Sequence, residues 1–252
     1  MKYYIYQHLG LGDMILCNGL IRHLISTIPK GKFYLFCKKS HLKAIKFMYR
    51  DLNRLSLVGV SNISKNEVLD VRNHLSNIKC NYELIKIGHE FYHPTNALNT
   101  NKDSPWPCDV IFYKQFQIPF HYRFIKSYWK RDIKKERKVY RQMVGVKKNY
   151  IFVHDDPSRN IYISNKFLNK KYHVVRNNYK YSIFDYGTIL ENAKELHLIE
   201  SSFRQVVETL NTKNIKLYLY KNREGDHSIS LYNKKLRKWI GTQKKWKVIT
   251  YK

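Results

Sequence analysis

Residues 2–88 alternate between short apolar runs and longer stretches whose apolar positions recur at helical spacing. "KYYIY" (2–6), "KFYLFC" (32–37), "RLSLVGV" (54–60) and "YELIKIG" (82–88) suit buried strands. Between the first two, Met14, Cys17, Ile21, Leu24 and Ile28 fall on one helical face, widened by Leu16, Leu20 and Ile25. "HLKAIKFMYR" (41–50) and "KNEVLDVRNHL" (65–75) read as two further helices. Strands separated by helices cannot close as hairpins, so each joins the sheet by a crossover. The alternation therefore predicts an α/β fold with a mostly parallel, doubly wound sheet. Asp13 is placed to cap the first helix, which would run over 13–28 and end at Pro29-Lys30-Gly31.

The pattern lapses over 89–120, where Pro94, Pro105, Pro107 and Pro119 interrupt it. Residues 121–144 then read as a basic, aromatic helix, and "GVKK" (145–148) as a linker. Alternation resumes with strands at "NYIFVHDD" (149–156), "YHVVR" (172–176), "ELHLIE" (195–200) and "IKLYLY" (215–220). Helices fall near 185–193, over 201–211 and over about 228–240, and "KWKVITY" (245–251) is a final strand or a tail. Two Rossmann-like halves follow, 1–147 and 148–252.

The charge is extreme, with 47 Lys and Arg against 19 Asp and Glu, a net +28. It favours polyanions such as nucleic acid, anionic membrane or phosphorylated ligands, and argues against a cationic ligand. A chain rich in Lys, Asn, Ile and Tyr is also what an AT-rich genome produces, so the charge is weak evidence for nucleic acid. No apolar run approaches the roughly 18–20 residues that span a bilayer, and "MKYYIYQ" lacks the apolar core of a secretory signal. A soluble, cytoplasmic protein is expected. Cys17, Cys37, Cys80 and Cys108 form no C-x-x-C pair, so free thiols and no disulfides are expected.

Three motifs could carry chemistry. "HLGLGDMILCNG" (8–19) places Gly10, Gly12 and Asp13 between the first strand and helix. It is neither G-x-G-x-x-G, since Ile15 stands where the third glycine would, nor a P-loop. Asp13 can cap the helix, the reading local pattern favours, or take a proton from a bound hydroxyl. "FVHDDPSRN" (152–160) brings His154, Asp155 and Arg159 to the carboxyl end of a strand, where doubly wound folds bind ligands. Arg159 suits a diphosphate, although Asp156-Pro157-Ser158 is also plain turn chemistry. "ELHLIESSF" (195–203) sets Glu200 beside Ser201 and Ser202 at a helix start, suited to sugar hydroxyls and phosphate or to a simple cap.

Two further segments carry less. "HEFYH" (89–93) matches the zinc-protease pattern, but Pro94 forces His93 out of helical geometry and no third ligand is evident, so no metal is expected there. Residues 121–150 hold eleven Lys and Arg against two acids, interleaved with aromatics. That composition suits single-stranded nucleic acid, yet Phe124, Ile125, Tyr128 and Trp129 fall at helical spacing and read better as a packing stripe.

Taken together the motifs carry a resemblance. "HLGLGDMILCNGLIRHL" resembles the N-terminal signature of sugar-transferring enzymes of the two-Rossmann (GT-B) type, particularly the lipopolysaccharide heptosyltransferases. "YIFVHDDPSRN", followed by "FDYGTILENAKELHLIESSF", resembles the donor half of such proteins and is similar to fucosyltransferase-like enzymes. The resemblance implies two halves facing a central cleft, the first binding a glycan or glycolipid acceptor and the second a nucleotide-diphosphate sugar. It makes Asp13 the candidate base. His154, Asp155, Arg159, Asp185, Glu200, Ser201, Ser202 and Phe203 fall on the donor side. His8, Gly10, Gly12, Asn18, His89 and His93 fall on the acceptor side. No D-x-D motif is present, so the sequence requires no metal, and no cofactor beyond the co-substrate is implied. Peripheral contact with an anionic membrane fits this reading. The alternative is a basic nucleic-acid-binding protein on a Rossmann scaffold, although specific nucleic-acid binding is disfavoured. The glycine-and-histidine donor signature of many heptosyltransferases is missing in recognisable form, so the sugar is not named.

Overall fold

Each half of the chain builds its own wholly parallel sheet. The computed structural model describes residues 1–88, 108–147, 149–221 and 242–250. The first unit, Met1–Lys130, contains β1 (Lys2–Tyr6), α1 (Leu11–Leu16), α2 (Asn18–Thr27), β2 (Lys32–Lys38), α3 (Leu42–Met48), β3 (Leu55–Val60), α4 (Ser64–Ser76), β4 (Tyr82–Lys86), α5 (Cys108–Lys114) and α6 (Tyr122–Ile125). Its strand order is β3-β2-β1-β4. On one face Tyr4, Phe36 and Val60 pack with Val71 and Leu75 of α4. Each such side chain contributes about 1.5–3 kcal/mol by leaving water.

The second unit, Arg131–Lys252, contains α7 (Ile133–Met143), β5 (Tyr150–Val153), β6 (His173–Arg176), α8 (Gly187–Asn192), β7 (Glu195–Ile199), α9 (Ser202–Val207), β8 (Lys216–Lys221) and β9 (Trp246–Thr250). Its strand order is β6-β5-β7-β8-β9. In each sheet the chain leaves its first strand in one direction and later returns to that strand's other side. The reversal falls between β1 and β4 in the first unit and between β5 and β7 in the second. Loops diverge at such a switch point and leave a crevice at the carboxyl ends of the strands.

The expected parallel α/β organisation holds, with four local differences. First, the units divide between Lys130 and Arg131 rather than near residue 147. The cause is α7, whose fully buried Glu136 accepts hydrogen bonds from the Thr188 N–H at 2.8 Å and hydroxyl at 3.0 Å and pairs with Arg131. The helix that read as the tail of the first half is thereby fastened to the second. Second, residues 121–144 are not one helix. Asp132 caps a new helix by accepting from Lys135 N at 3.0 Å, and the expected stripe splits, with Trp129 buried but Ile125 and Tyr128 exposed.

Third, the expected helix over 13–28 is broken at Cys17. The hydroxyl of Tyr113, on α5, donates to Leu16 O at 2.9 Å and accepts from Leu20 N at 3.2 Å. A side chain inserted between a carbonyl and its i+4 amide interrupts the helical ladder. Fourth, α9 is shorter than expected; of the two readings of the last segment, a strand or a tail, the strand is found, as β9 (Trp246–Thr250) beside β8. Cys17 and Cys37 are buried free thiols, as expected, and burial pushes the Cys37 thiol up to about 12. Among the described residues no helix is long and apolar enough to cross a membrane. The expected helix near 228–240 lies outside them.

Candidate active site

Of the sequence-predicted residues of the first unit, His8, Gly10, Gly12 and Asp13 lie just after the carboxyl end of β1. Helix α1 begins at Leu11 with Gly10 as its N-cap, so Asp13 is not the cap but the third helical residue. A carboxylate in the first turn interacts favourably with the helix dipole. Gly10 adopts φ −63° and ψ 139°, open to any residue, so the glycine is not there for its backbone freedom. A Cβ on Gly10 would stand 2.8 Å from Asp13 Oδ2. The missing side chain leaves room for the carboxylate, which is half-buried. Gly12 lies within the helix.

His8 stacks on Phe112 of α5 with ring centroids 5.3 Å apart. Gly88, just past β4, has φ +86°, and a Cβ there would meet both rings. Here glycine is required twice over, by backbone conformation and by space. Gln115 accepts from Gly88 N and donates to Lys86 O, both at 2.8 Å, which ties the end of β4 to the α5 segment. Asn18 is tied into the fold through its side-chain oxygen. It is buried, and its carboxamide oxygen accepts from Tyr128 N at 2.7 Å and Arg22 Nε at 3.2 Å. His89 and His93 lie outside the described residues.

In the second unit the ends of β5 and β7 come together at the switch point. His154 follows β5 and shares a hydrogen bond with Ser201 Oγ at 3.2 Å, between its Nδ1 and the hydroxyl. Ser201 caps α9 by accepting from Phe203 N at 3.3 Å, and Ser202 is the helix's first residue. The guanidinium of Arg159 pairs with Asp156 and reaches Glu200 O at 3.4 Å. His154, Arg159, Glu200 and Ser201 thus form one polar cluster on two neighbouring strand ends.

Four candidates are occupied with holding the fold. Asp155 accepts from Ile163 N at 2.8 Å and pairs with Arg176, pinning the β5 loop to the end of β6. Asp185 accepts from Ser182 N at 3.0 Å in a capping box and pairs with Lys135 Nζ at 2.9 Å. Phe203 is buried among Phe152, Tyr186 and His154. Glu200 turns its Oε1 towards Arg204 and Gln205, at 3.4 and 3.3 Å.

Beside the cluster, at the carboxyl end of β6, lies a groove of about 610 Å³. Gln142, Met143, Arg176, Asn177, Tyr179 and Tyr181 help to line it. Asn177 and the Tyr179 hydroxyl both bond to the Asp155 backbone, so this wall is anchored to the β5 loop, while the Tyr179 ring is 61% exposed. Sequence reasoning passed over these residues. The available signal was "RNNYKY" (176–181), polar and aromatic directly after a strand. Among the described residues no group of three or more His, Cys, Asp or Glu is placed to hold a metal ion.

Burial of His154 pulls its imidazole down to about 4, with Arg159 adding to the effect and Asp156 and Asp155 opposing it. The folded state therefore binds this proton less readily than the unfolded chain, whose histidine titrates near 6.5. The stability it contributes is complete above pH 6.5 and is lost as pH falls from 6.5 through 4, up to about 3 kcal/mol. In thermal melts, His154→Phe should lose less Tm between pH 7 and pH 4.5 than the wild-type protein does. Equal acid sensitivity in the two proteins would show that this ring is not responsible.

No family model and no curated protein sequence matches the chain. Solved structures do. A family 9 glycosyl transferase from Veillonella parvula superposes with a TM-score of 0.55 over 99% of this chain and 86% of its own, at 8% identity. The chain shares its fold with this glycosyl transferase. The E. coli ADP-heptose LPS heptosyltransferase II agrees, with a TM-score of 0.53 over 99% of this chain and 90% of its own, at 10% identity. The heptosyltransferase-like α/β fold expected from the motifs is thus matched by solved structures.

Proposed function

We propose that the protein is a glycosyltransferase that moves a sugar from a nucleotide-diphosphate sugar to a hydroxyl of a glycan or glycolipid acceptor. The observation that carries this reading is a fold shared with a family 9 glycosyl transferase over 99% of the chain, with a polar cluster at the switch point of the second unit and Asp13 just past β1 in the first. The first unit takes the acceptor and the second the donor. Asp13 accepts the proton of the acceptor hydroxyl as its oxygen bonds to the anomeric carbon. The bond from that carbon to the diphosphate breaks, and its electron pair leaves with the nucleoside diphosphate. Arg159, the Ser201 hydroxyl and the start of α9 attend the departing charge. The groove at the end of β6 takes the nucleoside, with the exposed Tyr179 ring offering a stacking face. The net charge of +28 supports an anionic acceptor or peripheral contact with an anionic membrane.

A melting experiment tests the reading. Protein is heated with UDP-, GDP- and ADP-linked sugars in turn. One of them is expected to raise Tm, since ligand at about 100 times its Kd stabilises the native state by about 2.7 kcal/mol. For a chain of this size that is a shift of about 5–10 °C. A melting curve unmoved by the whole panel rules the reading out.

A further inference from the structure

We infer that Tyr113 is a positioning residue for Asp13, acting through the break that its hydroxyl makes between α1 and α2. The inference rests on the reading of Asp13 as the base. Helix α1 is six residues long and carries Asp13 in its first turn. Its direction is set where it joins α2, at Cys17. There the Tyr113 hydroxyl stands between Leu16 O, to which it donates, and Leu20 N, from which it accepts. Leu16 and Leu20 stand 97 and 93 positions before Tyr113, so nothing local creates the contact. An uninterrupted helix would satisfy both backbone groups with one direct bond and would bury no hydroxyl. The inserted group therefore fixes an angle that the helix would not adopt by itself.

Tyr113 is well placed to hold that angle. It is fully buried, with Phe120 edge-on at 5.4 Å. Burial pushes its hydroxyl well above the ordinary tyrosine range, so it stays protonated and remains a donor. Its neighbours serve the same crevice: Phe112 stacks on His8, and Gln115 secures the end of β4. One short segment thus holds the strand ends and sets the tilt of the helix between them. Asp13 lies four residues from Cys17, about 6 Å along the helix axis. A swing of about ten degrees at the break moves the carboxylate by about 1 Å, a misplacement that costs a reaction up to about 100-fold.

The test is Tyr113→Phe, which removes only the hydroxyl and lets Leu20 N–H bond directly to Leu16 O. The assay follows release of nucleoside diphosphate, with water as acceptor, from whichever panel nucleotide sugar raises Tm most. The expected result is a kcat lowered about 10- to 100-fold with donor KM within about twofold. The double variant with Asp13→Asn should be no slower than Asp13→Asn alone, because the two residues act as one unit. Replacing Tyr113 by 4-aminophenylalanine keeps the donor to Leu16 O and a weaker acceptor for Leu20 N–H, and should recover part of the lost kcat. Circular dichroism and the donor-induced Tm shift establish that each variant is folded. Wild-type kcat in folded Tyr113→Phe, losses that multiply in the double variant, or no recovery with the amino analogue each overturn the inference. If Asp13→Asn itself keeps the wild-type rate, the base assignment fails and the positioning role falls with it. If Asp13→Asn is inactive while Tyr113→Phe is fully active, only the role of Tyr113 falls.

Discussion

Asp13→Asn is expected to lower the rate of sugar transfer by about 10²- to 10⁴-fold while leaving donor binding intact. The carboxamide is nearly the size of the carboxylate, so it fits the space that the absent Gly10 side chain provides. It cannot accept a proton at neutral pH, which removes the one step assigned to it. Loss of the charge from the first turn of the helix costs about 0.3–1 kcal/mol of stability. Donor binding belongs to the other unit in this reading, so the Tm shift produced by the nucleotide sugar should match that of the wild-type protein. The contrast between an unchanged shift and a lost rate separates a base from a residue that merely holds the turn together. A variant that transfers sugar at close to the wild-type rate would return Asp13 to a purely structural role.

The fold was legible because its strongest signal is local. A change from strand period to helix period needs no knowledge of distant contacts, and strands parted by helices can pair only through crossovers. Both switch points follow from strand order, which the alternation alone leaves open. What escaped sequence reasoning was decided by contacts across the chain. Tyr113 breaks the first helix from 93 residues beyond Leu20. Glu136 moves the unit boundary by bonding Thr188, 52 residues on. Asp155 looked like a ligand-facing acid at a strand end, but the register of β5 against β6 sets Val153 opposite Arg176 and brings that guanidinium to it. Asp185 is the opposite case. Ser182 three residues before it is a capping-box pattern that was present in the sequence and points to structure, not donor binding. The groove was missed because its lining comes from α7 and from the segment after β6, whose proximity no sequence spacing announces.

Glu136→Ala is expected to destabilise the second unit by about 3–5 kcal/mol, and so to lower its Tm by about 6–20 °C. Glu136 is fully buried and satisfies three groups at once: Arg131, the Thr188 N–H and the Thr188 hydroxyl. Truncation strands both Thr188 groups and takes one of two carboxylate partners from Arg131. The Arg131 guanidinium keeps Glu191 at 2.7 Å and is partly open to solvent, which holds the loss towards the lower end of that range. The Thr188 amide has no such relief, since it begins α8 beneath α7, where even a Cβ on Gly187 would collide with the Glu136 carboxylate at 2.6 Å. Glu136→Gln is the informative companion. Its oxygen can still accept from Thr188, but its amide donates towards a guanidinium that only donates, so an intermediate loss is expected. A cost under about 1 kcal/mol for Glu136→Ala, below what removing one partner of a buried pair entails, would mean that α7 is held in the second unit by its other contacts, apolar packing and the Lys135–Asp185 pair among them. The division of the chain at Lys130 would then rest on those contacts, not on the ion pair between Arg131 and Glu136.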